Sequence, residues 1–287
     1  MTERQWIEIH LPLSGSLLEV FSALLFAEGA EGLEEKEDEI IVYFPRQSWN
    51  NDIKFSLMDK MKQIRPDFDR QEFEERLIRE ENWNEAWKEN FKTFHLTEQI
   101  VIAPEWEKYK PGISETLITI SPKMAFGTGH HETTRLILEL MEEHLQKGMS
   151  VLDAGTGSGI LAIYAAKRGA HPVAAFDTDP LAIENLYENA ELNGVKDQVN
   201  AILGTLDKVP KQHFDLIIAN INRNVLLDLA VSFAEYQGRN GILLLSGILN
   251  SDVETIKESY KNAHYHLIGQ KNKNEWQALI FRWTGNG

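Results

Sequence analysis

Three positions in the second half of the sequence could together hold a nucleoside and an amine. The loop Gly155-Thr-Gly157-Ser-Gly159 follows a short apolar run, and its glycines let the backbone turn sharply close to a ligand. Asp177 ends the next apolar run, where a carboxylate can accept hydrogen bonds from a ribose diol. Asn220 ends the run "FDLIIAN", and its carboxamide oxygen can accept a hydrogen bond from an amine.

The spacing of the glycines separates two classes of nucleoside-binding enzyme. The motif is GxGxG, and Ile160 stands where a dinucleotide-binding GxGxxG loop has its third glycine. A nicotinamide-dependent enzyme remains the alternative, because the loop and Asp177 would suit any nucleoside. Asn220 beside the backbone carbonyl of Ile221 favours an S-adenosylmethionine-dependent N-methyltransferase, because both oxygens can orient the nitrogen of an amine.

The stretch "MAFGTGHHETT", residues 124–134, is expected to cover the bound cofactor. Its glycines allow a tight turn, and Phe126 can shield apolar cofactor surface from water. Thr133 or Thr134 is expected to open a helix that runs to Leu145, with hydroxyl groups directed at the ligand. Simple capping of that helix is the alternative role for the threonines.

His130 and His131 lie in the same stretch and raise the possibility of a general base or a metal site. Adjacent loop histidines are more often exposed bystanders, and that is the interpretation favoured here. The nine histidines show no HExxH spacing, and the chain has no cysteine, so neither a metal site nor disulfide or thiolate chemistry is predicted.

From residue 150 onward, short apolar strands alternate with helices, which predicts a parallel sheet covered on both faces. The expected strands are "SVLDA", "PVAAFD", "NAIL", "FDLIIAN" and "GILLLSG". Asp179 and Pro180 predict the start of a helix that ends near Asn193, and another helix is expected near residues 251–260. The runs "HYHLIGQ" and "EWQALIFRW", joined by "KNKN", predict a closing antiparallel hairpin and so a seven-stranded sheet.

The first 78 residues predict a small separate α+β domain. Strands are expected at "RQWIEIHL" and "EIIVYF" and, more weakly, near residues 72–78. Helices are expected at "GSLLEVFSALLFAEG" and at "NDIKFSLMDKMKQI", where Ile53, Leu57, Met61 and Ile64 share one face. The order β-α-β-β-α-β suggests a ferredoxin-like unit. Residues 79–95, with Trp83 and Trp87 four apart, are expected to form a linker helix whose tryptophans pack on a neighbour rather than bind a ligand.

Four segments of the sequence resemble the PrmA-type family of ribosomal protein methyltransferases. They are "MAFGTGHHETT", "VLDAGTGSGILAIYAAKRGA", "FDTDPLAIENLYENAELNGV" and "DLIIANI". The similarity runs from about Trp83 to the C-terminus and is looser in the N-terminal domain. The resemblance implies a class I, Rossmann-like methyltransferase domain over residues 96–287, with residues 1–78 recognising the substrate.

The resemblance also implies a substrate, a cofactor and a set of site residues. The substrate would be lysine side chains and the N-terminal amine of the eleventh protein of the large ribosomal subunit, and the methyl donor S-adenosylmethionine. The residues implied to bind the cofactor are Thr134, Gly155, Asp177 and Asn220. Phe126 and Gly157 complete the predicted cofactor site, and Asn220 is also predicted to position the acceptor amine.

The sequence departs from the family pattern near the predicted amine side of the site. The family usually has threonine and proline where His130 and Glu132 stand, and cysteine where Thr156 stands. It has small or apolar residues in place of Asn222 and Arg223. None of these positions coincides with the four implied by the resemblance to bind the cofactor, so the departures leave the choice of substrate open rather than that of the cofactor.

The charge of the chain bears on its partners. Among residues 1–100 there are 22 acidic and 12 basic side chains, against 22 and 17 in residues 101–287, within a formal net charge of −15. An acidic surface disfavours nucleic acid and suits a basic protein, although acidity could also serve solubility alone. The sequence has no apolar run of eighteen residues and does not begin like a signal peptide, so a cytoplasmic monomer without membrane contact is expected.

Methyl transfer from a sulfonium needs little beyond this set of residues. Holding the nitrogen, the methyl carbon and the sulfur in line is a matter of positioning, and a dry site lowers the pKa of the amine so that it reacts neutral. No dedicated base is expected. The alternatives are an N-methyltransferase for another protein or a small molecule, and a ribosome-assembly module that keeps the fold without catalysis.

Overall fold

The computed structural model describes residues 5–12, 25, 28–35, 39–69, 73–79, 91–121, 127 and 129–285. It divides the chain into two compact units, Met1–Phe91 and Lys92–Gly287. The helix predicted for residues 15–29 lies largely outside the described residues. The linker helix predicted over 79–95 is wrong at both described ends, because Arg79 ends a strand and Phe94–His95 form another; residues 80–90 lie outside the described part.

The first unit contains an antiparallel four-stranded sheet. Its strands are β1 (Gln5–Leu11), β2 (Gly32–Glu35), β3 (Ile40–Pro45) and β4 (Glu74–Arg79), in the order β2-β3-β1-β4. Helix α1 (Asn51–Ile64) begins where the side chain of Asn50 accepts hydrogen bonds from two backbone N–H groups. Alternate residues of β1 and β3 and one face of α1, including Ile9, Phe44, Leu57 and Met61, form a buried core. The strand order is that of a split β-α-β arrangement.

The second unit is built on a seven-stranded sheet. Its strands are β8 (Val151–Ala154), β9 (Val173–Asp177), β10 (Val199–Leu203), β11 (Phe214–Asn220), β12 (Gln237–Leu249), β13 (Tyr265–Lys273) and β14 (Trp276–Trp283). The order is β10-β9-β8-β11-β12-β14-β13, with the first five strands parallel and β14 antiparallel to both of its neighbours. The predicted methyltransferase-type sheet with its closing hairpin is therefore confirmed.

Five helices accompany this sheet. They are α2 (Glu132–His144), α3 (Ile160–Lys167), α4 (Pro180–Leu192), α5 (Arg223–Ala234) and α6 (Val253–Asn262). Helix α3 is buried from Ile160 to Ala166, whereas α6 buries one side only. None of the described helices is both long and apolar enough to cross a membrane.

Two elements differ in extent from the predictions. Only the last residue of the run "KNKN" belongs to the hairpin turn: β13 continues through Lys273, and Asn274 and Glu275 make the turn, with Asn274 at φ 52°. Strand β12 begins four residues before the predicted "GILLLSG", with an irregular register against β11 where it starts. In both cases pairing with a neighbouring strand extends the element beyond its local apolar signal.

A separate three-stranded sheet was not predicted. It consists of β5 (Phe94–His95), β6 (Ile100–Pro104) and β7 (Thr116–Ile120), in that order, and β6 is buried throughout. Strand β7 lies at the edge, and helix α4 satisfies backbone groups there with three asparagines spaced four residues apart. Asn193 receives a hydrogen bond from the Thr119 N–H and donates one to the Thr119 carbonyl, at 2.9 and 2.6 Å.

The other two asparagines continue this asparagine ladder. Asn189 accepts from the Ser121 N–H at 2.7 Å, and Asn185 donates to the Ser121 carbonyl at 3.1 Å. Asn189 also donates to the Ser158 carbonyl at 2.8 Å, which connects the ladder to the glycine-rich loop. Asn185 and Asn189 are essentially fully buried, so their amides are committed to these bonds.

A buried carboxyl group joins β8 to the start of α3. Asp153 is fully buried, and its Oδ2 accepts hydrogen bonds from the Thr156 hydroxyl at 2.7 Å and from the Ala162 N–H at 3.2 Å. Among the described residues, none donates a hydrogen bond to Oδ1. Burial raises the pKa of Asp153 to about 7, although the two hydrogen bonds act in the opposite direction.

The raised pKa of Asp153 predicts a loss of stability with rising pH. Its carboxyl ionises near pH 4 in the unfolded chain but only near pH 7 in the folded one. The folded state therefore holds the extra proton between these values, and the free energy of unfolding should fall as pH rises through this window. Asp153→Asn should remove that part of the slope, on the order of a few kcal/mol between pH 4 and 8. Urea unfolding across this range measures it, and equal slopes for both proteins would contradict it.

Candidate functional site

A cavity of about 590 Å³ lies at the carboxyl ends of the parallel strands in the second unit. This is where open α/β sheets bind ligands, and the volume is within the usual range for small-molecule sites. Five of the six predicted cofactor residues line the cavity: Thr134, Gly155, Gly157, Asp177 and Asn220. The sixth, Phe126, lies outside the described residues.

The glycine-rich loop is shaped by a close approach of two strand ends. Gly155 has φ +70°, and a Cβ there would lie 2.3 Å from the Cγ2 atom of Ile221, the residue that follows β11. No side chain larger than hydrogen fits this position without moving Ile221. The loop after β8 and the end of β11 therefore form one continuous wall.

Asp177 is joined to the glycine-rich loop by hydrogen bonds. Its Oδ2 accepts from the Gly157 N–H at 2.9 Å and its Oδ1 from the Asp179 N–H at 3.0 Å. Each carboxylate oxygen keeps further acceptor capacity, so the side chain can still receive the two hydroxyls of a ribose. Asp179 also caps α4 as predicted, accepting from the Leu181 N–H.

Asn220 presents an unpaired acceptor at the cavity. Its Nδ2 donates to the hydroxyl of Thr134 at 3.3 Å, which fixes the orientation of the amide. The opposite atom, Oδ1, is buried, and no donor among the described residues reaches it. A buried acceptor without a partner costs about 1–3 kcal/mol, so this atom is well suited to receive an N–H from a ligand.

His131 is not the bystander that the sequence suggested. It is the N-cap of α2, and its Nδ1 accepts from the Thr133 N–H at 3.3 Å and contacts the Thr133 hydroxyl at 2.8 Å. The helix therefore begins at Glu132, and the expectation that a threonine opens it is wrong. Because the lone pair of Nδ1 accepts the capping hydrogen bond, this nitrogen is poorly placed to act as a general base.

The rings of His131 and Trp276 form one side of the cavity. Both residues line it, and their ring centroids lie 5.1 Å apart with an interplanar angle of 66°. Asn274, in the turn before Trp276, donates to Glu132 at 3.2 Å, so a second contact joins the hairpin to the start of α2. His130, in contrast, packs against the ring of Phe94, and partial burial there lowers its pKa.

The cavity extends across five strand ends. In sheet order these are β9, β8, β11, β12 and β14, a span of about 19 Å at the usual strand spacing. The polar groups suited to a nucleoside lie at the β9 and β8 end. Asn220 and Ile221 lie in the middle, and Gly247 and Trp276 lie at the β12 and β14 end.

Sequence reasoning missed the residues that reach the cavity from distant segments. Trp276 comes from the last hairpin and Gly247 from an irregular part of β12, and no local motif marks either of them. His131 had a weak signal, since it directly precedes a helix that begins with an acidic residue. Among the described residues, no group of three or more histidine or acidic side chains could hold a metal ion.

Comparison with known proteins identifies the family. The family model for ribosomal protein L11 methyltransferase (PrmA) matches residues 5–284. A ribosomal protein L11 methyltransferase from Macrococcus caseolyticus is 33% identical over 279 residues, which cover 96% of this chain and 89% of that protein. One from Acetivibrio thermocellus is 36% identical over 71% of this chain, and the match spans 64% of that protein's own length.

A solved structure shows the same relation. The crystal structure of a ribosomal protein L11 methylase from Lactobacillus delbrueckii subsp. bulgaricus aligns with a TM-score of 0.64 at 32% identity. The alignment covers 68% of this chain and all of that one. The chain therefore belongs to the ribosomal protein L11 methyltransferase (PrmA) family of S-adenosylmethionine-dependent enzymes.

Proposed function

We propose that this chain transfers methyl groups from S-adenosylmethionine to lysine side chains, the N-terminal amine, or both, of ribosomal protein L11. The single observation that carries the proposal is the buried, unpaired Oδ1 of Asn220, a residue that lines the cavity. Family membership supports the choice of L11 as the substrate protein.

The residues present fit the cofactor. Gly155 lets the loop lie close against Ile221 in the cavity wall, and Asp177 offers carboxylate oxygens beside the loop for a ribose. Thr134 and Gly157 line the same wall. When bound, S-adenosylmethionine supplies a methyl group on a positively charged sulfur. The part of this chain is to hold the cofactor and an amine together in a site with little water.

Two acceptor oxygens can select a neutral amine. A neutral primary amine has two N–H groups and one lone pair, whereas an ammonium group has three N–H groups and no lone pair. Oδ1 of Asn220 and the backbone carbonyl of Ile221 can take the two N–H groups and leave the lone pair directed away from both oxygens. Burial from water disfavours the charged form, so the proton can leave to solvent before the transfer.

The first unit is the proposed recognition element for the substrate protein. Its described strands and helix have a core of their own, and residues 1–100 carry the larger excess of acidic side chains. Such charge suits a lysine-rich protein and not nucleic acid. We infer a cytoplasmic enzyme that acts as a monomer, with residues 1–78 for recognition and residues 96–287 for methyl transfer.

Asp177→Ala should weaken cofactor binding. Loss of hydrogen bonds to a charged acceptor costs roughly 2–3 kcal/mol, which corresponds to about a thirty- to 150-fold rise in the Kd for S-adenosylmethionine. Asp215→Ala is the matched control, since that carboxylate accepts from Ser150 at the opposite end of β11. Calorimetry that shows unchanged affinity for a folded Asp177→Ala protein would exclude the ribose assignment.

Asn220→Ala tests both the activity and the acceptor. The wild-type protein incubated with L11 and S-adenosylmethionine should add mass in steps of one methyl group, as seen by mass spectrometry. The variant should lose at least about tenfold in rate at saturating cofactor, because one acceptor of the amine is gone. Absence of methylation by the wild-type protein would favour a non-catalytic module, whereas a variant as fast as wild type would place the amine elsewhere.

Removal of the first unit should separate recognition from cofactor binding. A chain that begins near Asn82 should bind S-adenosylmethionine about normally yet fail to methylate intact L11. Raising the salt concentration should weaken substrate capture by the full-length protein, because screening shortens the range of the charge attraction. Full catalytic efficiency of the truncated chain on L11 would show that recognition lies in the second unit.

A further inference from the structure

Gly247 lies against the carbonyl that the proposed amine would contact. It interrupts β12 with φ +81°, at the place where the register of β12 against β14 shifts. A Cβ on Gly247 would lie 2.3 Å from the Ile221 carbonyl oxygen and 3.0 Å from its carbon. Because both are backbone atoms, no change of rotamer could relieve the overlap.

Ile221 is thus enclosed by two glycines from different strands. Gly155, after β8, leaves room for the side chain of Ile221, and Gly247, in β12, leaves room for the carbonyl oxygen of Ile221. Both glycines and Ile221 line the cavity. The first contact belongs to the cofactor wall, whereas the second lies toward the β14 end, beyond Asn220 in the order of the strands.

A side chain at position 247 would displace the Ile221 carbonyl. A methyl carbon 2.3 Å from the oxygen overlaps it, so the backbone at Ile221 would have to move away from β12. Asn220 Oδ1, one residue earlier in the chain, is the unpaired buried acceptor. The hydrogen at position 247 therefore lets the Ile221 carbonyl keep its place next in the chain after this acceptor.

We propose that Gly247 is a positioning residue for the acceptor amine, because it keeps the Ile221 carbonyl open as the second of two acceptors for the N–H groups. This rests on the proposed function. It assigns to Gly247 a part in the recognition of the amine and none in the binding of the cofactor's nucleoside.

The test uses two cofactor analogues and no protein substrate. Sinefungin carries a primary amine in place of the methyl-bearing sulfonium, whereas S-adenosylhomocysteine has neither an amine nor a methyl group at that position. The wild-type protein should bind sinefungin at least about tenfold more tightly, because its amine can donate to both oxygens. Gly247→Ala should abolish most of this preference while the Kd for S-adenosylhomocysteine changes by less than about threefold.

Gly148→Ala is the matched control. Gly148 has φ +87°, close to that of Gly247, but a Cβ there would meet no atom within 4 Å. It therefore carries the same backbone strain without the overlap, and the preference for sinefungin should be unchanged. If the Gly247→Ala protein keeps the preference for sinefungin, the proposal is overturned. The same holds if the substitution weakens the binding of both ligands equally.

A second measurement needs no substitution at position 247. Ile221-Asn222 is the only Ile-Asn pair in the sequence, so carbonyl-¹³C isoleucine with ¹⁵N asparagine labels a single peptide bond for NMR. Sinefungin should shift the Ile221 carbonyl resonance in the direction of stronger hydrogen bonding, relative to S-adenosylhomocysteine. Equal shifts for the two ligands would refute the proposal even if Gly247→Ala does not fold. Failure of the wild-type protein to bind either ligand would instead refute the proposed function.

Discussion

The carboxyl edge of the seven-stranded sheet depends on how closely the backbone at Ile221 approaches its neighbours. The chain leaves β11 at Asn220, passes between two glycines, and enters α5 at Asn222, whose side chain caps that helix. These contacts fix three consecutive residues against strands on both sides of β11. Since the contacts include backbone atoms, the geometry is set by the fold itself. A site held by such contacts is preorganised, because its shape is set before a ligand binds.

Several polar groups of the site are hydrogen-bonded to one another. Thr134 orients Asn220, Asp177 holds the Gly157 N–H, and the Ser158 hydroxyl donates to the Gly127 carbonyl at 2.6 Å. Among the described residues, the buried oxygens that have no hydrogen-bond partner include Oδ1 of Asp153 and Oδ1 of Asn220. Burial of an unpaired acceptor lowers the stability of the protein, and a binding site is where such a cost is expected.

The sequence predicted best those elements whose signals are local. Asp179, Pro180 and Asn193 placed both ends of α4 correctly, because capping is decided within one turn of helix. The parallel strands were equally clear, since a strand buried on both faces must be apolar throughout. Four of the five described residues predicted to bind the cofactor meet at one cavity because each ends or follows a strand at the same edge of the sheet, whereas Thr134 reaches it from α2.

What could not be predicted depends on contacts between distant segments. Strands β6 and β7 have apolar, β-branched sequences, but β5 has only two residues, and which strands pair with one another is not a local property of the sequence. Trp276 reaches the cavity only because the last hairpin inserts β14 beside β12. His131 was misjudged for a related reason, since a histidine cap is uncommon and its ring contact comes from a residue far away in the chain.

The asparagine ladder on α4 also occupies backbone groups at the edge of the three-stranded sheet. An edge strand such as β7 presents backbone donors and acceptors that could pair with a strand of a second molecule. Asn193 occupies both groups of Thr119, and Asn185 and Asn189 occupy those of Ser121. Because the amides are spaced at one helical turn, rotation or sliding of α4 by a single residue would release them together. The helix that lines one side of the cavity thus also leaves fewer backbone groups at this edge for pairing with a strand of another molecule.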